Sequence, residues 1–223
     1  MGPGTQGFSK MLNRADDATG RPAPAPRGPD RINRHSSGLQ EFTRALAGRE
    51  GLRILDLGPT SPTNIARLTG LGHKTYSEDI LLGSGDPAFN LGRTKEGQTI
   101  FDVEGFLKSN LLYQAPLFDG VLCWDLCDYL DESLVRPAVE RIGEAMRRGG
   151  VLLAFFHTRD AGPDAPHYRY HILGDDLLEL QPGSRARLQR VFHNRHIENL
   201  FSGFSSLKFF LARDNVREVL AVR

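Results

Sequence analysis

Cysteine and net charge are what this sequence has least of. Its two thiols, Cys123 and Cys127, stand four residues apart. They are too few for a disulfide scaffold and lack the neighbouring ligands of a structural zinc, so they read as reduced thiols and no metal is expected. The 28 Lys and Arg nearly cancel the 27 Asp and Glu, leaving a formal charge of +1, which offers no bulk attraction for a polyanion. Nucleic acid is therefore disfavoured as a partner. No apolar run approaches the ~18 to 20 residues of a membrane span, and the first residues lack the apolar stretch of a signal peptide. Both absences point to the cytoplasm and away from a membrane.

What is present divides the chain in two. Residues 1–35 hold five prolines, five glycines, six basic and three acidic residues, with few large apolar side chains, among them Phe8, Met11, Leu12 and Ile32. Burial cannot repay the ordering of such a segment, so it reads as a flexible basic tail able to clamp a substrate or bind a protein partner. Residues 36–223 read as one domain. Leu39, Phe42 and Leu46 recur at helical spacing and predict a covering helix. "LRILDLG" then reads as a buried strand with a sharp exit. In "SPTNIARLTGLG", Ser61 caps a helix, Pro62 takes its first position, Ile65 and Leu68 face inward, and Gly70 ends it.

"HKTYSEDI" predicts a second strand ending at Glu78 and Asp79, and the Gly-rich stretch from Leu81 to Asn90 predicts a loop. "QTIFDVEGFLKSNLL" suggests a brief third strand or turn and a small helix. "FDGVLCWDLCDYL" gives a strand to Cys123 or Trp124 followed by a polar corner. Leu134, Ala138, Ile142 and Met146 share one helical face, with Pro137 marking a start or a kink. "GGVLLAFFH" is the strongest buried strand. "YRYHILGDDLLELQPG" predicts two short strands of a cap inserted at about 158–190, joined at Gly174 and Asp175. "NRHIENLFSG" reads as a helix capped by Asn194, and the last 18 residues as two antiparallel strands joined at Asp214 and Asn215. This alternation argues for an α/β fold, a doubly wound, mostly parallel sheet with helices on both faces.

In such a sheet, ligands bind in the crevice at the carboxyl ends of the strands. Asp56, Asp79, Asp102 and the group from Trp124 to Asp128 fall at or just past successive strand ends. Carboxylates there can accept hydrogen bonds from ribose hydroxyls or an ammonium group, and they are poor hosts for phosphate. "GPTSP" makes neither the Walker loop nor the dinucleotide pattern, so ATP and NAD drop in rank.

At this point the chain resembles the class I S-adenosylmethionine-dependent methyltransferases. "ILDLGPTSP" is similar to their first motif, "TYSEDI" to the acidic end of their second strand, "FDGVLCWDLCDYL" to their fourth, and "MRRGGVLLAFF" to their glycine turn and fifth strand. "FSSLKFFLARDNVREVLAVR" resembles their last two strands. The likeness covers roughly residues 38–223. It implies a seven-stranded Rossmann-like sheet with a reversed final strand, S-adenosylmethionine as cofactor and S-adenosylhomocysteine as product. Residue by residue, it implies Asp56 and Gly58 against the methionine part, with Thr60 in the same turn. It puts Asp79 on the ribose with Ile80 beside it, Phe101 and Asp102 at the adenine edge, and Trp124 as the sulfur-side wall. The glycine loop is degenerate, with Thr60 and Pro62 where the family has its second and third glycines.

The implied activity is methyl transfer to a small-molecule or protein acceptor. Asp125, His157 at the end of the fifth strand and Tyr168 in the insert are the candidate catalytic residues, and a neutral imidazole suits proton acceptance near pH 7. "WDLC" differs from the "NPPY" of amino-directed enzymes acting on adenine or glutamine. The altered loop leaves a second class of function open: a noncatalytic cofactor-binding or partner-binding protein on the same fold.

Overall fold

The computed structural model describes residues 1, 31–114, 116–159, 166–211 and 214–223. The main sheet is built from β2 (Arg53–Asp56), β3 (Lys74–Ser77), β6 (Phe118–Trp124), β7 (Met146–His157), β10 (Ser206–Leu211) and β11 (Val216–Val222), in the order β10-β11-β7-β6-β2-β3. Strands β3, β2, β6 and β7 run parallel, whereas β11 enters antiparallel between β7 and β10. The doubly wound sheet with its reversed last strand is thus present.

Among the described residues it has six strands, where seven were expected. β5 (Thr99–Phe101) forms a separate hairpin with β4 (Asn90–Arg93). Three residues, two of them exposed, have too little apolar surface to be buried as a sheet member. The expected loop before this hairpin contains α3 (Ile80–Ser84) and a 3-10 turn at Pro87–Phe89, begun by Asp79 and Asp86 as caps.

Alternation along β7 explains the layers. Leu152, Ala154 and Phe156 face α4 (Val103–Ser109), α6 (Glu132–Ala145) and α7 (Asn194–Leu200), joining Phe106, Leu134, Ile142 and Ile197 in one core. Val151, Leu153 and Phe155 face the other way, toward Leu39, Phe42 and Leu46 of α1 (Ser37–Leu46) and Leu68 of α2 (Pro62–Gly70). Pro137 lies inside α6, whose start is set by Asp131 accepting from Ser133 N. The cap of α7 is His193, with Asn194 its first helical residue. Along α2 the inward polar residue is Asn64, 1% exposed, while Ile65 is 36% exposed and so does not face inward.

The segment after β7 supplies two strands, β8 (Pro166–Ile172) and β9 (Leu177–Arg185). Their partner comes from the segment read as tail: Ile32–His35 form β1, antiparallel to β9. The remainder of that segment, residues 2–30, lies outside the described residues. The β1-β9-β8 sheet packs Tyr170, Ile172, Leu178 and Leu180 on the same face of the main sheet as α1.

A buried ion pair joins the small sheet to the large one. Arg34, its side chain 7% exposed, reaches Glu218 Oε1 on β11 at 2.7 Å and Asp214 Oδ2, with its guanidinium over the Phe155 ring. The other Glu218 oxygen accepts from Ser36 Oγ and from Gly38 N at the start of α1. A Cβ at Gly38 would stand 2.8 Å from that oxygen and from Leu153 Cδ1, so this close approach requires glycine. Arg34→Ala leaves the Glu218 carboxylate buried without its cation, at an expected cost of about 3–5 kcal/mol. Chemical denaturation measures it, and a loss below ~1 kcal/mol, the range of an exposed pair, would contradict the role given to Arg34.

Candidate ligand crevice at the carboxyl ends of the strands

The site begins with Asp56 at the end of β2, 2% exposed. Its Oδ1 accepts from Trp124 Nε1 at 2.6 Å and its Oδ2 from Asn64 Nδ2 at 2.8 Å. Asn64 also donates to Tyr170 O and accepts from Ile172 N, which fastens α2 to the backbone of β8. Ser61 caps α2 and pairs with His171 Nδ1 at 2.7 Å, while His171 Nε2 meets Gln181 Oε1 at 2.8 Å. With an acceptor at Nε2, the imidazole carries its proton there and takes the Ser61 hydroxyl proton at Nδ1. The residues that replace the usual glycines thus stand in a turn that grips the inserted sheet. Thr60 is exposed.

Trp124 ends β6 at a register shift, with φ of 48°, a left-handed conformation that costs a tryptophan energy. The bend lays its indole flat on Tyr170, 4.9 Å between centroids and 7° between planes. Gly58 runs beside the indole, where a Cβ would make van der Waals contact with Trp124 Cδ1 at 3.4 Å. Asp125 follows, 1% exposed. Its Oδ2 accepts from Tyr170 OH at 2.8 Å, whereas Oδ1 lies 3.5 Å from His167 Nε2 and has no hydrogen-bond partner among the described residues.

These groups line one crevice with Leu57, Pro59, Asp79, Leu81 and Tyr168. Its inner end holds about 10 Å³, room for one water. It shares Pro59, Asp79 and His167 with an outer groove of about 230 Å³ that is also lined by Arg169, Gln181 and Pro182. Asp79 caps α3 through Oδ1, accepting from Leu82 N. Its Oδ2 has no partner among the described residues. The neighbouring Glu78 is consumed by Leu111 N and Tyr113 OH.

Of the residues named from sequence, Gly58, Asp79, Trp124, Asp125 and Tyr168 are brought together here. Asp56 stands behind Trp124 with both oxygens in use. Ile80 is fully buried in the core. Phe101 packs against Phe89 and Phe106, and Asp102 caps α4 through Gly105 N; neither side chain lines the crevice.

His157 is drawn away by Asp128, whose Oδ2 accepts from both its backbone N (2.7 Å) and its ring Nδ1 (2.8 Å). Burial opposes a charge on His157, but the adjoining Asp128 carboxylate outweighs it and raises the imidazole's pKa; burial likewise raises that of Asp128. Tyr129 of the short helix α5 (Leu126–Tyr129) packs edge-on to His157 and to His167. His167 is therefore the crevice histidine, and reading the sequence missed it along with Asn64 and Tyr170. The signal for His167 and Tyr170 lay in "HYRYH", polar and aromatic residues packed into a strand that also faces the core. Both cysteines are free and buried, as expected.

Burial pushes the Asp56 carboxyl up to about 6, against the hydrogen bonds from Asn64 and Trp124 that favour its charged form. A folded-state value above the ordinary 3.8 means that the stabilisation from this group is full at lower pH and is lost as pH rises through about 6. The loss is on the order of 3 kcal/mol by neutral pH. Because Trp124 is the single tryptophan, its fluorescence should titrate with a midpoint near 6 and lose that step in Asp56→Asn. A wild-type midpoint near 4 would contradict the burial argument.

No family model matches the sequence, and no curated protein does. Among solved structures, it is similar to the 1,6-didemethyltoxoflavin-N1-methyltransferase of Burkholderia thailandensis, at 14% identity over 84% of this chain and 79% of that one, TM-score 0.47. It is also similar to a SAM-dependent methyltransferase of Methanosarcina mazei, at 12% identity over 78% and 93%, TM-score 0.46. A third, from Archaeoglobus fulgidus, has 11% identity over 83% and 91%, TM-score 0.46. The strand order, with one reversed strand between β7 and β10, makes the fold a doubly wound, Rossmann-like one.

Proposed function

We propose that the chain transfers a methyl group from S-adenosylmethionine to a small-molecule or protein acceptor bound beneath the β8-β9 strands. One observation carries this reading: the free oxygen of Asp79, the close-packed backbone of Gly58 and the buried Asp125 converge where β2 and β6 part. This is the switch point at which doubly wound sheets bind ligands. The cofactor, when bound, supplies an electrophilic methyl group on a sulfonium. Asp79 would hold its ribose hydroxyls, the backbone at Gly58 and Pro59 its amino-acid end, and Leu57 and Leu81 an apolar floor above Ile80. Asp56 acts through Trp124, which it holds in place, and Phe101 and Asp102 support the loop behind. Asp125, Tyr168 and His167 face the acceptor. His157 is a positioning residue that acts through Asp128 and Tyr129.

The tight inner end of the crevice favours the second reading, a partner-binding protein that keeps the fold without the cofactor. Titration calorimetry with S-adenosylhomocysteine separates the two. Micromolar binding is expected, and Asp79→Ala should weaken it about tenfold or more by removing charged acceptors worth ~1.5–3 kcal/mol. A folded wild-type protein that binds none supports the partner reading. Equal affinity in the variant removes Asp79 from the ribose.

A further inference from the structure

The inner crevice combines a buried negative charge with aromatic walls. Asp125 is 1% exposed, and its Oδ1 has no hydrogen-bond partner among the described residues. Leaving a carboxylate oxygen unpaired in so dry a place is costly. His167 Nε2, at 3.5 Å, is beyond hydrogen-bond reach. Trp124 and Tyr170, stacked face to face on each other, and Tyr168 line the adjoining walls, and the space they leave is about that of one water or one ammonium group. Asp79 adds a second carboxylate, while no Lys or Arg lines this inner part. Arg169 stands only in the outer groove, and the charge of Arg34 beyond Tyr170 is met by Glu218 and Asp214.

We infer that the acceptor is an amine, bound with its ammonium group in the one-water space, one N–H donated to Asp125 Oδ1, and its carbon skeleton running out past His167 into the outer groove. A carboxylate, phosphate or phenolate would meet two like charges here, and a neutral hydroxyl would leave them without a counter-charge. This deepens the methyl-transfer reading and rests on it. The ammonium must first lose a proton to become a nucleophile, and His167 Nε2, beside the same carboxylate oxygen, receives it. The freed nitrogen pair then forms the N–C bond as the C–S bond breaks with its electrons kept on sulfur. The products are a methylated ammonium and a neutral thioether, and the proton on His167 passes to solvent.

Trp124 in the crevice wall, the single tryptophan of the chain, reports occupancy without any turnover. The full-length protein is titrated with phenethylamine, phenethyl alcohol and phenylacetate while its fluorescence is followed, and each titration is repeated in Asp125→Asn. The amine should bind at least ~10-fold more tightly than the alcohol or the carboxylate, and the variant should lose that preference. Its affinity for S-adenosylhomocysteine, measured in parallel, should be unchanged. Alcohol or carboxylate binding as tightly as the amine, or no response to the amine at millimolar concentration, overturns the inference. So does a parallel fall in S-adenosylhomocysteine affinity, which would place Asp125 on the donor's own amino-acid end. Amine binding through Asp125 in a protein that takes no S-adenosylhomocysteine would leave the ammonium site standing and remove methyl transfer.

Discussion

The carboxylate of Asp56 is the tie on which the ligand end of the molecule depends. Buried at the end of β2, it holds the Trp124 indole with one oxygen and the Asn64 amide with the other. Both donors are buried, and removing the acceptor would leave two unsatisfied N–H groups where water cannot reach them. The indole so fixed is the platform for Tyr170, and Tyr170 in turn holds Asp125. Asn64 grips the backbone of β8 on either side of its contact. One charge thus sets the corner after β6, the start of α2 and the seat of the inserted sheet.

That arrangement gives the altered glycine loop a physical reason. In "GPTSPTN" Thr60 and Pro62 stand where glycines were expected to admit a ligand backbone, and their neighbours Ser61 and Asn64 cap α2 and bind the insert. Ser61 reaches His171 and Asn64 reaches β8, while Pro62 starts the helix without needing a donor. Gly58 alone is retained, with its backbone beside the Trp124 indole. The cap is held from its far side as well, by β1 and the Arg34–Glu218 pair. The crevice wall that β8 supplies is therefore part of the folded core.

The main sheet was legible because its signals are local. Continuous apolar runs mark β6 and β7, Ser61-Pro62 marks α2, and the short link at Asp214 and Asn215 forces β11 antiparallel. The third strand was misplaced because three residues of suitable propensity do not reveal their partner; β5 pairs with β4, whose sequence is mostly polar. Ile32–His35 read as tail because their burial is supplied from far away, Arg34 by Glu218 on the last strand. At the site, acids at strand ends were visible, but their burdens were not. Asp102 spends its carboxylate on capping α4, and Asp56 spends both oxygens on neighbours. His157 looked free at a strand end, and only the fold shows Asp128 beside it and His167 in the crevice. Periodicity favoured Ile65 over Asn64 as an inward residue, since it cannot see the buried carboxylate that Asn64 serves.

The most direct test of the account is a crystal structure of the protein with S-adenosylhomocysteine. The account predicts a nucleoside whose ribose hydroxyls lie on Asp79 Oδ2 and whose homocysteine end lies over Gly58, with the sulfur facing Trp124 and Asp125 and the Asp56–Trp124 hydrogen bond kept. A nucleoside seated elsewhere, or bound only after Trp124 has left Asp56, would contradict it.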